Sequence, residues 1–182
     1  MSVKQFDAEE TRVSDAVDRV LTQWHNERPD LDVSAMGVIG RISRASALLD
    51  RAINKTLADY DLHPGEFDLL ATLRRSGAPH RLTVGQLLKS TMVTSGAVTH
   101  RLNRLDERGL VTRDVDPSNR RSVIVALTKK GLNLVDEALL AHVDNEQRQL
   151  ACLTSHKREV LAELLRELLL GLGDSASDQD TA

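Results

Sequence analysis

The apolar positions of this chain change their period twice. Over residues 8–26, Val13, Val17, Val20, Leu21 and Trp24 recur every three or four positions, the spacing of one helix face. Arg28-Pro29-Asp30 breaks that run. A second helical pattern over residues 34–60 carries Ile42, Leu49 and Ile53 on one stripe. His63-Pro64-Gly65-Glu66 opens a third, because proline suits the first helical position, and it ends near Ser76-Gly77. Residues 83–90 predict a short helix, in which Thr83 and Gln86 have the spacing of a capping box. Residues 94–108 predict a longer one with Val98, Leu102 and Leu105 inward, stopped by Gly109 in a left-handed conformation.

After Gly109 the period becomes two. Residues 110–115 and 122–127 predict two strands joined by Asp116-Pro117-Ser118-Asn119, a run rich in turn formers. The helical period returns at Thr128, with Leu132, Val135, Leu139, Val143, Leu150 and Leu153 on one face. A last helix begins at Ser155 and gathers Val160, Leu161, Leu164, Leu165 and Leu168. The fold class is therefore mainly α with a small β-hairpin. A short helix, a turn, a longer helix and a hairpin, in that order, make a winged helix-turn-helix, whose second helix enters the DNA major groove.

Composition narrows the picture. Hydrophobic residues are 41% of the chain but aromatic residues only 2%, so aliphatic side chains must fill the core, which favours helices. One cysteine, Cys152, allows no intrachain disulfide, and its place beside an apolar stripe predicts a buried, inert thiol. Residues 1–10 hold no signal-peptide core, and no run of 18 apolar residues exists. The expectation is a soluble cytoplasmic protein with no membrane partner.

The net charge of −3 speaks against a nucleic-acid partner until its distribution is considered. Residues 71–131 hold twelve Lys and Arg against four Asp and Glu, which leaves the remainder of the chain at −11. A basic segment within an acidic chain is the footprint of a polyanion site, although a solvated face would look the same. On the predicted groove helix, Ser95, Thr99, His100 and Asn103 point away from the buried stripe, with donors and acceptors suited to base edges. Arg104 beside them suits a phosphate, and Arg120 and Arg121 at the hairpin suit a narrow minor groove.

In these residues the chain resembles the MarR family of multiple-antibiotic-resistance-type regulators. The resemblance rests on Thr94-Ser95-Gly96-Ala97-Val98-Thr99, Arg104-Leu105, Gly109-Leu110-Val111, the wing Asp116-Pro117-Ser118-Asn119-Arg120-Arg121, and Leu127-Thr128. It spans residues 34–170 and implies a homodimer on double-stranded DNA with a near-palindromic operator, dimerising through its N- and C-terminal helices. Arg121 would enter the minor groove, oriented by the residue two before it, which is Asn119 here where the family often has Asp. The implied organisation is an extra N-terminal helix in residues 1–33, a helical dimerisation region in 34–61 and 128–170, the winged lobe in 62–127, and a disordered tail in 171–182.

Trp24, Asp68 and Arg101 further resemble the urate-responsive subgroup, in which a Trp, an Asp and an Arg help to hold the ligand. The implied effector is a small anionic or aromatic molecule, and an Asp68–Arg101 pair would set the angle of the groove helix. Plainer roles are open for each: Trp24 as a core anchor, Asp68 as a partner of its helix dipole, Arg101 as a phosphate contact. Redox or metal sensing is an alternative, but the best metal ligands, Cys152, His156 and His142, form no tight group, and no cofactor or catalytic residue is implied. An enzyme is a rival without a motif: no glycine-rich phosphate loop, zinc-protease helix or Gly-x-Ser-x-Gly turn occurs. A protein-interaction adaptor would want an uncharged wing and an apolar recognition face, the opposite of Arg120, Arg121, Ser95 and Thr99.

Overall fold

The computed structural model describes residues 13–91 and 98–174. Its elements in order are α1 (Ala16–Glu27), α2 (Ser34–Ala58), α3 (Pro64–Arg75), β1 (Arg81–Thr83), α4 (Val84–Ser90), α5 (Val98–Glu107), β2 (Val111–Asp116), β3 (Asn119–Leu127), α6 (Lys129–Gln149) and α7 (Ser155–Gly171). The chain divides into two compact units, residues 1–50 and 51–182.

In the first unit α1 begins later than the apolar pattern predicts. Asp15 caps it, accepting from the backbone N–H of Val17 at 2.7 Å and Asp18 at 2.9 Å, while Asp18 accepts from the Asp15 N–H. That reciprocal cap starts the helix at Ala16 and leaves Val13 outside it, 93% exposed. The predicted turns over residues 8–12 lie outside the described residues. Arg41 of α2 closes on both acids, with Nε 2.8 Å from Asp15 and Nη2 2.5 Å from Asp18. Backbone hydrogen bonds first, and Arg41 with them, hold both carboxyls below the ordinary aspartate value. Two glycines let the helices meet: a Cβ on Gly37 would sit 3.2 Å from Leu21, and one on Gly40 3.3 Å from Val17. Of the predicted α1 stripe only Val17 is buried, and Trp24 is 42% exposed.

The second unit holds the main core. Leu57 and Leu62 meet Leu69, Leu70 and Leu73 of α3, Leu87 of α4, and Val98, Leu102 and Leu105 of α5. Val125, Val135 and Ala138 close it from β3 and α6. The Thr83–Gln86 capping box starts α4 as its spacing predicts. The sheet has three strands rather than the two expected, in the antiparallel order β1-β3-β2. The added strand pairs Arg81 with Ala126 and Thr83 with Ile124. Three residues are too few to display an alternation, so only the distant partner defines that strand.

α5 ends as predicted at Gly109, whose φ is +65°. The Leu110 N–H returns to the Leu105 carbonyl and the Gly109 N–H to that of Asp106, which uses carbonyls the helix would leave bare. Thr128 caps α6 through the Gly131 N–H and also donates to the Gly109 carbonyl at 2.8 Å, so one side chain ties the end of α5 to the start of α6. Gly131 is needed there, since a Cβ would lie 1.9 Å from the Leu110 carbonyl oxygen.

α6 stops at Gln149, so Leu150 and Leu153 fall beyond it rather than on its face. Cys152, in the turn before α7, is exposed; the expected burial fails because the helix that would have carried it has ended. α7 buries none of its 17 residues. No described helix is long and apolar enough to cross a membrane.

Candidate nucleic-acid interface

The interface is built by one decision of packing: which face of α5 goes inward. Val98 and Leu102 are 1% exposed and Leu105 is buried completely, so they take the core side. Thr99, His100 and Asn103 are thereby turned to solvent. Residues 92–97, which include Ser95, lie outside the described residues. Asn103 already has a partner, since its Oδ1 accepts from Arg113 Nη1 of β2 at 2.5 Å. This link between groove helix and wing was not legible beforehand, because Arg113 reads as one more polar position in an alternating strand.

The wing is tightened by its own side chains. Asp116 Oδ1 accepts from the Ser118 hydroxyl at 2.7 Å and the Ser118 N–H at 2.8 Å, and these bonds, the hydroxyl first, lower the Asp116 carboxyl below its ordinary value. Asn119 Oδ1 accepts from the Arg121 N–H at 3.1 Å. Asn119, Arg120 and Arg121 form the first residues of β3 and are all exposed, so the arginines stand on the strand rather than in the connecting turn.

Arg104 is shared between surface and interior. Its side chain is 37% exposed, and its Nε lies 3.3 Å from Glu66 Oε1. Glu66 is buried, as are its neighbours Gly65 and Phe67. Arg101 lies over Gly65 so closely that a Cβ there would be 2.4 Å from its Cζ. Its Nη1 is buried with no hydrogen-bond partner among the described residues. The first turn of α3 and this side of α5 enclose a cleft of about 450 Å³ lined by His63, Pro64, Gly65, Glu66, His100, Arg101 and Arg104. In the sequence His63-Pro64-Gly65-Glu66 marks only a helix start; the fold makes it a wall facing α5.

The three residues taken together as ligand-binding are thus differently placed. Arg101 lines the cleft. Asp68, on α3, faces Arg75 Nη1 at 3.7 Å and forms no ion pair with Arg101 among the described residues. Trp24 belongs to the first unit. Among the described residues no three His, Cys, Asp or Glu side chains gather as metal ligands.

Comparison with known proteins agrees with this architecture. A sequence profile of the MarR family matches residues 60–122. The HTH-type transcriptional regulator PecS of Dickeya dadantii is 42% identical over 149 residues, covering 82% of this chain and 90% of that protein. A MarR family transcriptional regulator of Streptomyces coelicolor, solved in complex with DNA, superposes with a TM-score of 0.71 at 26% identity, over 78% of this chain and 89% of that one. Bordetella bronchiseptica BpsR, whose DNA binding is regulated by 6-hydroxynicotinic acid, superposes with a TM-score of 0.65 at 27% identity, over 72% of this chain and 91% of that one. The length and identity of the match to PecS, together with the three-stranded winged lobe, mean that this chain is no enzyme but belongs to the MarR family of helix-turn-helix transcriptional regulators.

Proposed function

We propose that this regulator is a repressor that binds a near-palindromic operator as a homodimer and releases it when a small organic anion binds. The observation that carries the effector reading is Arg101: a guanidinium on the groove helix, with Nη1 buried and unpartnered among the described residues, lining a cleft beside His63, His100 and Arg104. A buried donor without an acceptor is costly, and a planar anion would satisfy it in the bidentate geometry that arginine favours. The cleft volume of about 450 Å³ lies in the range of small-molecule sites. Regulation of BpsR by an aromatic acid supports the same ligand class. Urate is one member of that class, and the resemblance of Trp24, Asp68 and Arg101 to the urate-responsive subgroup assigns all three to it.

An anion in this cleft touches α5 itself. If it binds the DNA-free orientation of α5 more tightly, linkage requires that DNA be released; a coupling of about 1–3 kcal/mol is typical. On the DNA side, Ser95, Thr99, His100 and Asn103 read base edges, Arg104 holds phosphate, and Asn119, Arg120 and Arg121 serve the wing contact. The homodimer is supported by α7, whose Leu161, Leu164, Leu165 and Leu169 are each more than a third exposed.

The test is a titration of urate and 6-hydroxynicotinate against the protein–operator complex at fixed salt. Release of DNA by at least one of them, lost in Arg101→Ala and reported by the fluorescence of Trp24, the only tryptophan, is the expected result. Failure of a panel of planar organic anions to release DNA or change that fluorescence would overturn the effector reading and leave DNA binding untouched.

A further inference from the structure

Two arginines of α5, Arg101 and Arg104, and Arg108 in the turn just after it form a single stripe. Arg101, Arg104 and Arg108 are three and four residues apart and share one helix face. All three come down on the start of α3 and the turn before it. Arg101 lies over Gly65. Arg104 Nε is 3.3 Å from Glu66 Oε1, and Arg108 Nη1 is 4.0 Å from Glu66 Oε2. Arg108 also donates to the Asp61 carbonyl at 2.6 Å and faces its carboxylate at 3.2 Å. At the centre is Glu66, whose side chain is 1% exposed.

A helix cap explains half of this carboxylate. Glu66 Oε2 accepts from the His63 N–H at 3.0 Å, the returning bond of a capping box. Glutamine makes that bond equally well, so the cap does not call for a charge. The other oxygen, Oε1, is buried with no hydrogen bond among the described residues, and Arg104 Nε stands 3.3 Å from it. A buried ion pair contributes little net stability, because desolvation offsets its attraction, but it can fix a geometry. It also sets a negative charge behind a DNA-facing helix, which lowers attraction to any phosphate backbone.

We propose that Glu66 is a positioning residue for operator recognition: it seats Arg104 and Arg108, and so fixes the angle at which α5 presents its outward side chains, giving up non-specific affinity for sequence discrimination. The inference rests on α5 being the groove helix and is independent of the effector. Asp61, Asp68 and His63 lie near the same junction, but Glu66 alone among them is buried and faces two of the three arginines.

The experiment compares Glu66→Gln with the parent full-length chain on two duplexes, an operator selected from a random library and a scrambled duplex of equal length. Because the cap survives, the variant is expected to fold with an unchanged melting temperature. Operator affinity should fall about tenfold or more, the scale of losing a fixed base or phosphate contact, while scrambled-duplex affinity holds or rises. Affinities that fall in parallel on both duplexes, or an unchanged ratio, overturn the proposal. Should Glu66→Gln fail to fold, Arg104→Lys decides. It keeps the positive charge for phosphate but loses the Nε that meets Glu66. The same loss of ratio is expected with an unchanged salt slope, and a parental ratio overturns the proposal. A parent chain that showed no operator preference would instead refute the DNA reading on which the inference rests.

Discussion

Asn119 stands where an acid is common in the family, and the structure gives its amide a definite task. Its Oδ1 holds the Arg121 N–H, which requires an acceptor but no charge. Arg121 therefore leaves the turn with its backbone direction fixed and its side chain exposed. Arg121→Ala is expected to weaken operator binding by about 1–3 kcal/mol, as removal of a direct groove contact does. Asn119→Ala keeps the guanidinium and loses only the tether, so its loss should be smaller and in the same direction. Fluorescence anisotropy at one salt concentration measures both. An Asn119→Ala protein with parental affinity would show that the strand alone orients Arg121. Neighbouring positions show how far a residue's type determines its place. Thr99 and His100 were legible as outward because three buried aliphatic residues on their own helix define its face. Asn103 was legible as outward too, but its bond to Arg113 was not, since that partner stands on another element.

Among the elements, α5 is held at its C-terminal end by contacts that leave little room. Its C-terminal stop at Gly109 runs into β2, and the first turn of α6 packs on the Leu110 carbonyl through Gly131. Gly131→Ala is expected to destabilise the protein by about 1–3 kcal/mol, because the added carbon meets backbone that cannot move aside. Gly85, in the first turn of α4, is the control. A Cβ there has nothing within 4 Å, so Gly85→Ala should be neutral or gain up to about 1 kcal/mol of helix propensity. Thermal and urea unfolding of the two variants distinguish a packing clash from a general intolerance of the lobe. The elements that local spacing predicts well, α3, α4 and the wing strands, carry their own punctuation: proline, a capping box, a glycine stop and a turn. β1 carries none and depends on pairing with β3, more than 40 residues later.

In the chain taken as a unit, the C-terminal segment leaves a broad apolar face uncovered. α7 exposes Val160, Leu161, Leu164, Leu165, Leu169 and Leu170, each between 37% and 57%. Burying one such side chain is worth about 1.5–3 kcal/mol, so a dimer formed there would draw on several times that amount. Deleting residues 154–182 is expected to leave a monomer that no longer binds the operator, with the winged lobe still folded around its core. Sedimentation and circular dichroism check the two halves of that statement, and a truncated chain that sedimented as a DNA-competent dimer would place the interface elsewhere. Charge acts at this scale as well. Residues 71–131 carry a surplus of eight positive charges within a chain of net charge −3, so the segment that holds the winged lobe is basic and the rest is acidic.

Near neighbours in the chain set much of this architecture. Helical period assigned the inward face of α5, the Thr83–Gln86 spacing started α4, Gly109 ended α5, and Asp116-Pro117-Ser118-Asn119 turned the wing. These follow from backbone geometry and hydrogen bonds within a few residues, which any chain with that local order must satisfy. Contacts between partners far apart in the chain were settled by the fold instead. Glu66 reads as part of a helix start until Arg104 and Arg108 arrive 38 and 42 positions later. Asp68 looked ready to pair with Arg101 and instead faces Arg75. Cys152 looked buried until α6 ended three residues before it, and Trp24 looked like a core anchor until the packing of its helix left it 42% exposed. A side chain's charge and polarity are written in the sequence, but the group that neutralises or covers it is chosen by which surfaces meet when the chain closes on itself.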